Sequence, residues 1–160
     1  MIKEIATDEL INKLIGLESS TTLFLESIAL KPLQVCVLGH EEPLGQSGIL
    51  ERTSLLYFTD KTFPVIYSRS NFYLEQLKHQ EYQQLKDGAL PIGKFISSLH
   101  GTHNVLKEQI RVVKKPSNSY ATALRVLNTE IICKEYEYVV GGRKIGRIME
   151  AFNEESIVRL

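Results

Sequence analysis

The stretch "GILERTSLLYFTDKTFPVIYSRSN", Gly48 to Asn71, constrains the fold more than any other part of the chain. Two runs rich in β-branched and aromatic residues flank a polar centre, which is the pattern of a β-hairpin. The turn sets the register of a hairpin. With the turn centred on Asp60-Lys61, Phe58 faces Phe63, Leu56 faces Val65, Ser54 faces Tyr67 and Arg52 faces Arg69. Leu50, Leu56, Phe58, Val65 and Tyr67 then share a face with both arginines. Like charges placed opposite each other in an apolar setting are costly unless something negative joins them. The partner is an internal carboxylate or an anionic ligand. A competing reading puts the arginines on a solvent face, since Leu55, Tyr57 and Ile66 make the other face apolar too.

The internal carboxylate candidate is Glu150 in "RKIGRIMEAF". Strand alternation places Ile148, Glu150 and Phe152 on one face, so the carboxyl sits between bulky apolar neighbours. Such a group has a raised pKa or a cationic partner. Two arginines and one glutamate leave net positive charge within an apolar hollow. That suits a small anion, a carboxylate held by a planar guanidinium.

The rest of the chain reads as α+β, a single domain over residues 1–160 with a mostly antiparallel sheet and flanking helices. A helix is expected over Thr7–Ile15, capped by Thr7 and stopped by Gly16. A short second helix or turn in "STTLFLESIA" has Ser19 or Ser20 as its cap. Leu33–Leu38 is β-rich, and "GHEEPLGQSG" after it is a polar loop. Phe72–Lys86 is expected to be a helix anchored by Leu74, Leu77 and Leu85 and stopped at Asp87-Gly88. A further short helix starts at Pro91 in "LPIGKFISSLH". Val105–Val113 and Ala121–Leu127 fit strand or helix, with strand favoured for the first. Ile131–Val140 and Ile145–Phe152 read as strands joined at "GGRK", where Gly141-Gly142 supplies the positive φ of a tight turn.

Composition narrows function. Lys+Arg and Asp+Glu number 19 each, so there is no basic excess of the kind nucleic-acid binders carry. No apolar run nears the ~18 residues of a membrane span, and the first ten residues lack a signal-type apolar core. A cytoplasmic location is expected, or an organelle stroma. Cys36 and Cys133 lie in apolar runs and read as small core residues. "HGTH", His100 to His103, has the spacing of metal ligands but no third ligand near, so no metal is expected. Phosphate-loop, nucleotide and Ser-His-Asp signatures do not occur.

Four short motifs, in order, resemble the chorismate pyruvate-lyase family, in its shorter archaeal and cyanobacterial or plastid branch. They are "LESSTTLFLE", "LERTSLLYFTDKTFPVIYSRSNF", "LPIGKFI" and "GGRKIGRIMEAF", and the resemblance runs from Leu17 to Phe152. It implies a chorismate lyase-like fold with an enclosed ligand pocket. It also implies conversion of chorismate to 4-hydroxybenzoate and pyruvate, without a cofactor, for quinone synthesis. Aromatisation of the ring drives that reaction, so the protein supplies orientation and charge placement. Carried over by motif, Arg52 holds the ring carboxylate and Glu150 contacts the ring hydroxyl. Backbone amides at Ile92 and at Thr21 or its neighbour Ser20 help hold the ligand. Arg69 holds the second carboxylate or keeps Glu150 ionised. The family's Met step is Ser20-Thr21 here, the Gly before the second arginine is Ser68, and the ending "NEESIVRL" differs.

The effector domains of certain bacterial transcription regulators share this fold and bind small anions. Only about 15 residues precede the resemblance, too few for a helix-turn-helix, so the rival reading is a stand-alone sensor of an aromatic carboxylate. A variant enzyme making another hydroxybenzoate is the third option. In each case the expected partner is a small molecule, with no nucleic acid or membrane, and the chain acts as monomer or homodimer.

Overall fold

A computed structural model of the chain describes residues 2–41, 48–60, 63–87, 91–92, 94–95, 105–116, 119–126 and 130–160. The His100–His103 motif lies outside the described residues, as does most of the polar loop after β1. The elements are α1 (Ile2–Gly16), α2 (Thr21–Ala29), β1 (Gln34–Glu41), β2 (Ile49–Tyr57), β3 (Ile66–Tyr73), a 3₁₀ turn at Leu74–Gln76, and α3 (His79–Asp87). They continue as β4 (Val105–Pro116), α4 (Ser119–Leu124), β5 (Glu130–Val140), β6 (Arg143–Phe152) and α5 (Glu154–Val158). The strands form one six-stranded sheet in the order β1-β2-β3-β6-β5-β4, and every neighbouring pair is antiparallel.

Local chemistry sets the turns. Val140 pairs with Arg143 across Gly141 (φ 56) and Gly142 (φ 80), a two-residue turn with positive φ at both positions. Ser20 caps α2, its side-chain oxygen accepting from the Leu23 N–H at 3.3 Å. Pro91 opens a helical turn, its carbonyl accepting from the N–H groups of Lys94 and Phe95 at 3.0 Å. Gly146 is required where it stands. A Cβ there would meet the Asn71 carbonyl oxygen at 2.7 Å and the Phe72 ring at 3.0 Å.

Three expectations change. Phe72 and its neighbours form the end of β3 rather than a helix, because Phe72 pairs with both Leu50 and Gly146 on the inner alternation of the sheet; the helix begins at His79. Helix α1 starts at Ile2, ahead of Thr7. Cys133 is buried, whereas Cys36 is exposed on the edge strand β1. The ambiguous segment near Ala121 is helical, over Ser119–Leu124.

Alternation gives the sheet an inner and an outer face. At one end of the inner face, Leu50, Phe72, Tyr138, Val140 and Ile145 pack with Leu85 of α3 and with Ile92 and Phe95. At the other end, Leu56, Ile66 and Phe152 pack with Ile11 and Leu14 of α1, Leu25 of α2 and Ile157 of α5. Helix α4 covers part of the outer face through Leu124, over Cys133, Met149 and Ala151. Each fully buried Leu, Ile or Phe contributes about 1.5–3 kcal/mol. Between the two inner apolar clusters lies a band of polar side chains.

Candidate binding site on the inner face of the sheet

The register builds this band row by row. Ser54 lies opposite Ser68, Ser68 opposite Glu150, and Glu150 opposite Lys134. In the next row, Arg52 lies opposite Ser70, Ser70 opposite Ile148, and Ile148 opposite Tyr136. One row further, Phe72 and Gly146 lead to Tyr138, which pairs with Lys107 on β4. Residues two apart on a strand share a face, so all of these point to the same side.

The hairpin register is one residue longer than the sequence suggested, with Leu56 opposite Ile66 and Arg52 opposite Ser70. That single step moves every odd-numbered residue of β3 to the other face. Arg69 therefore does not join Arg52. Its side chain is 52% exposed on the outer face, where Nη2 and Nε bond Glu51 Oε1 at 2.8 and 2.9 Å. Tyr67 moves with it, and Ile66 takes the inner position.

Four ionisable groups of the band are almost wholly buried: Arg52 is 1% exposed, Lys134 0%, Lys107 5% and Glu150 4%. The Thr21 hydroxyl donates to Glu150 Oε1 at 2.9 Å, and Lys107 Nζ donates to the same hydroxyl at 2.8 Å. The Tyr136 hydroxyl lies within hydrogen-bond reach of Glu150 and of Tyr138, whose ring meets the Tyr136 ring edge-on at 5.0 Å. Lys107 Nζ also sits 4.5 Å from the centre of the Tyr136 ring. Lys134 has a different task. Its ammonium donates to the carbonyls of Leu14 and Leu17 at 2.8 and 2.6 Å, which fastens the C-terminal end of α1 onto the sheet.

Burial governs the protonation of these groups. It lowers Arg52 to about 10 and, with repulsion from Lys107, lowers Lys134 to about 8. Lys107 is lowered by burial and partly restored by Glu150. Both tyrosines are raised by burial and by the nearby Glu150 charge, so their hydroxyls stay protonated as donors.

A small cavity of about 10 Å³, room for about one water molecule, opens beside this network. Its walls are Leu56, Ile92 and Ile148, the hydroxyls of Thr21, Thr22, Ser54, Ser68, Tyr136 and Tyr138, and the Glu150 carboxyl. Thr21, Ile92 and Glu150 thus meet at one cavity, and Ser20 stands next to it as the cap of α2. Arg52 lies one row away along the same face. Sequence reasoning missed Lys107, Lys134, Tyr136 and Tyr138. Lys134 and Tyr136 alternate with Ile132 on β5, the same signal that singled out Glu150.

No family model and no curated sequence matches the chain. Solved structures do. The effector domain of PhnF from Mycobacterium smegmatis is similar with a TM-score of 0.59 at 8% identity, over 84% of this chain and 88% of that domain. A GntR-family transcriptional regulator from Enterococcus faecalis V583 gives 0.50 at 14% identity, over 74% and 91%. YydK from Bacillus subtilis subsp. subtilis str. 168, described as a possible transcriptional regulator, gives 0.51 at 12% identity, over 77% of this chain. The chain spans 58% of YydK's length. The fold is therefore that of the effector domains of GntR-family regulators, the chorismate lyase-like α+β fold. The likeness extends to the fold alone. No described helix is long and apolar enough to cross a membrane.

Proposed function

We propose that this domain binds a small organic carboxylate on the inner face, where the small cavity widens to admit it, and serves as a ligand-binding module rather than an enzyme. One observation carries the reading: three buried cations, Arg52, Lys107 and Lys134, stand on the same sheet face as the cavity and its buried carboxylate, Glu150. Burying cations costs several kcal/mol per ion, and an arriving anion reduces that cost. The aromatic and aliphatic walls suit a flat, largely apolar ligand body, and the tyrosine and threonine hydroxyls suit its polar edge. In this reading Arg52 supplies charge to the site, Glu150 and Thr21 contact a ligand hydroxyl, and backbone groups at Ile92 and Ser20-Thr21 complete the wall. The proposed setting is the cytoplasm, and the domain works as a monomer or homodimer.

A second reading is favoured by the position of Glu150, which lies in a cavity with Thr21 and Ile92 as the motif resemblance implies for a lyase. There the ligand is chorismate and the product 4-hydroxybenzoate, destined for quinone synthesis. One experiment separates the two. The purified chain is incubated with chorismate, product is followed by chromatography, and thermal unfolding is recorded with and without 4-hydroxybenzoate. The binding reading expects a higher Tm with 4-hydroxybenzoate and no product above the spontaneous rate. Enzymatic release of 4-hydroxybenzoate and pyruvate establishes the lyase instead. No shift and no turnover removes both.

A further inference from the structure

We propose that Lys107 is the group that reads the charge of the bound ligand, accepting a carboxylate and rejecting the neutral amide of the same shape. This rests on the proposal that the cavity binds a small carboxylate. The argument compares the three buried cations. Lys134 is committed, because its ammonium bonds the two carbonyls at the end of α1. Arg52 lies one row from the cavity, between Leu50 and Ser54 on β2. Lys107 bonds a side chain of the cavity wall, the Thr21 hydroxyl at 2.8 Å.

An ammonium carries three N–H groups. Thr21 takes one, and among the described residues the remaining contacts of Nζ are the ring faces of Tyr136 and Tyr138, at 4.5 and 6.0 Å. Both rings are walls of the cavity. Lys107 therefore holds donor capacity beside the space a ligand would fill. A carboxylate oxygen arriving there gains a charge-assisted bond that an amide cannot match. Thr21 adds a link to the carboxyl opposite. Its single proton goes to Glu150, and its oxygen accepts from Lys107. When a ligand draws Lys107 away, that hydroxyl can accept from a ligand hydroxyl while still donating to Glu150. The inferred ligand class is a small hydroxylated carboxylate that meets Lys107 through the acid and Thr21 through the hydroxyl.

The test uses the full chain and a matched pair of probes, 4-hydroxybenzoate and 4-hydroxybenzamide, titrated by calorimetry. The wild type is expected to prefer the carboxylate by about tenfold or more, the scale of one charge-assisted hydrogen bond. Lys107→Met should lower the ratio by about tenfold while the amide still binds, and Lys107→Arg should keep the preference. Should the Met variant fail to fold, ¹³C-methylated lysines of the wild type give a second readout. The Lys107 resonance should move with the carboxylate and stay in place with the amide. A Met variant that keeps the preference, a resonance that ignores the carboxylate, or a wild type that binds both probes alike overturns this inference and leaves the binding module standing. A wild type that binds neither probe overturns both.

Discussion

Arg52 and Arg69 occupy neighbouring strands of one sheet, yet the two faces treat them in opposite ways. On the outer face Arg69 bonds Glu51, and Lys115 and Arg147 both bond Glu135, all at least partly in water. Pairs of this kind contribute about 0–1 kcal/mol each, since water screens them and their side chains lose freedom. On the inner face Arg52, Lys107 and Lys134 sit in the dry interior near the Glu150 carboxylate. There a charge costs free energy that the fold must offset elsewhere. Charge kept on an outer face is ordinary solvation. Charge kept within, against that cost, is what the proposed anion site rests on.

The comparison can be broken or sharpened by substitution. The largest effect should come from Arg52→Met. Affinity for 4-hydroxybenzoate is expected to fall by about 100-fold, the scale of losing a buried charge partner, while the denaturation midpoint stays level or rises because a desolvated cation is gone. A variant that binds as tightly as wild type would place the inner charge outside the binding function. Gly146→Ala tests the geometry that brings Phe72 and Tyr138 into one row. With the added Cβ 2.7 Å from a backbone oxygen, a loss of about 1–3 kcal/mol is expected in urea unfolding.

Lys134 gives a pH signature. Its folded pKa, about 8, lies below its ordinary value of 10.5, so the unfolded chain binds more protons between those values. Stability should therefore rise with pH from about 8 toward 10, by about 1–3 kcal/mol. Above about 10 the raised tyrosines oppose it, because the unfolded chain then loses phenol protons that the folded one keeps. Lys134→Met should flatten the rise between 8 and 10, as read from denaturant midpoints across pH; an unchanged rise would assign it to other groups. The smallest effect belongs to Arg69→Ala, within about 1 kcal/mol of wild type in stability and unchanged in affinity. A large loss of binding in that variant would erase the distinction between the faces.

The elements with a strict local rule were legible in the sequence. Gly141-Gly142 defined the β5–β6 hairpin because few residue pairs tolerate positive φ twice. Arg52 stood out as a charge among apolar strand residues, and Glu150 because Ile148 and Phe152 share its face. The position of Arg69 was hidden by one residue in the turn after β2, since turn length fixes the register and register fixes the face. The end of β3 looked helical because Leu74, Leu77 and Leu85 repeat with helical spacing, while the pairing of Phe72 with two distant strands is not written locally. Lys107 escaped notice because the irregularity between Glu108 and Arg111, with Gln109 at φ 51, breaks the alternation of β4. Its meeting with Thr21 is a contact across 86 residues of sequence that no spacing rule reveals.

The most direct test of the central claim is calorimetric titration of 4-hydroxybenzoate into the wild-type chain, Arg52→Met and Arg69→Ala side by side. An inner-face anion site predicts saturable binding to wild type and Arg69→Ala with equal affinity, and its loss in Arg52→Met. Equal binding by all three, or loss confined to Arg69→Ala, would contradict it.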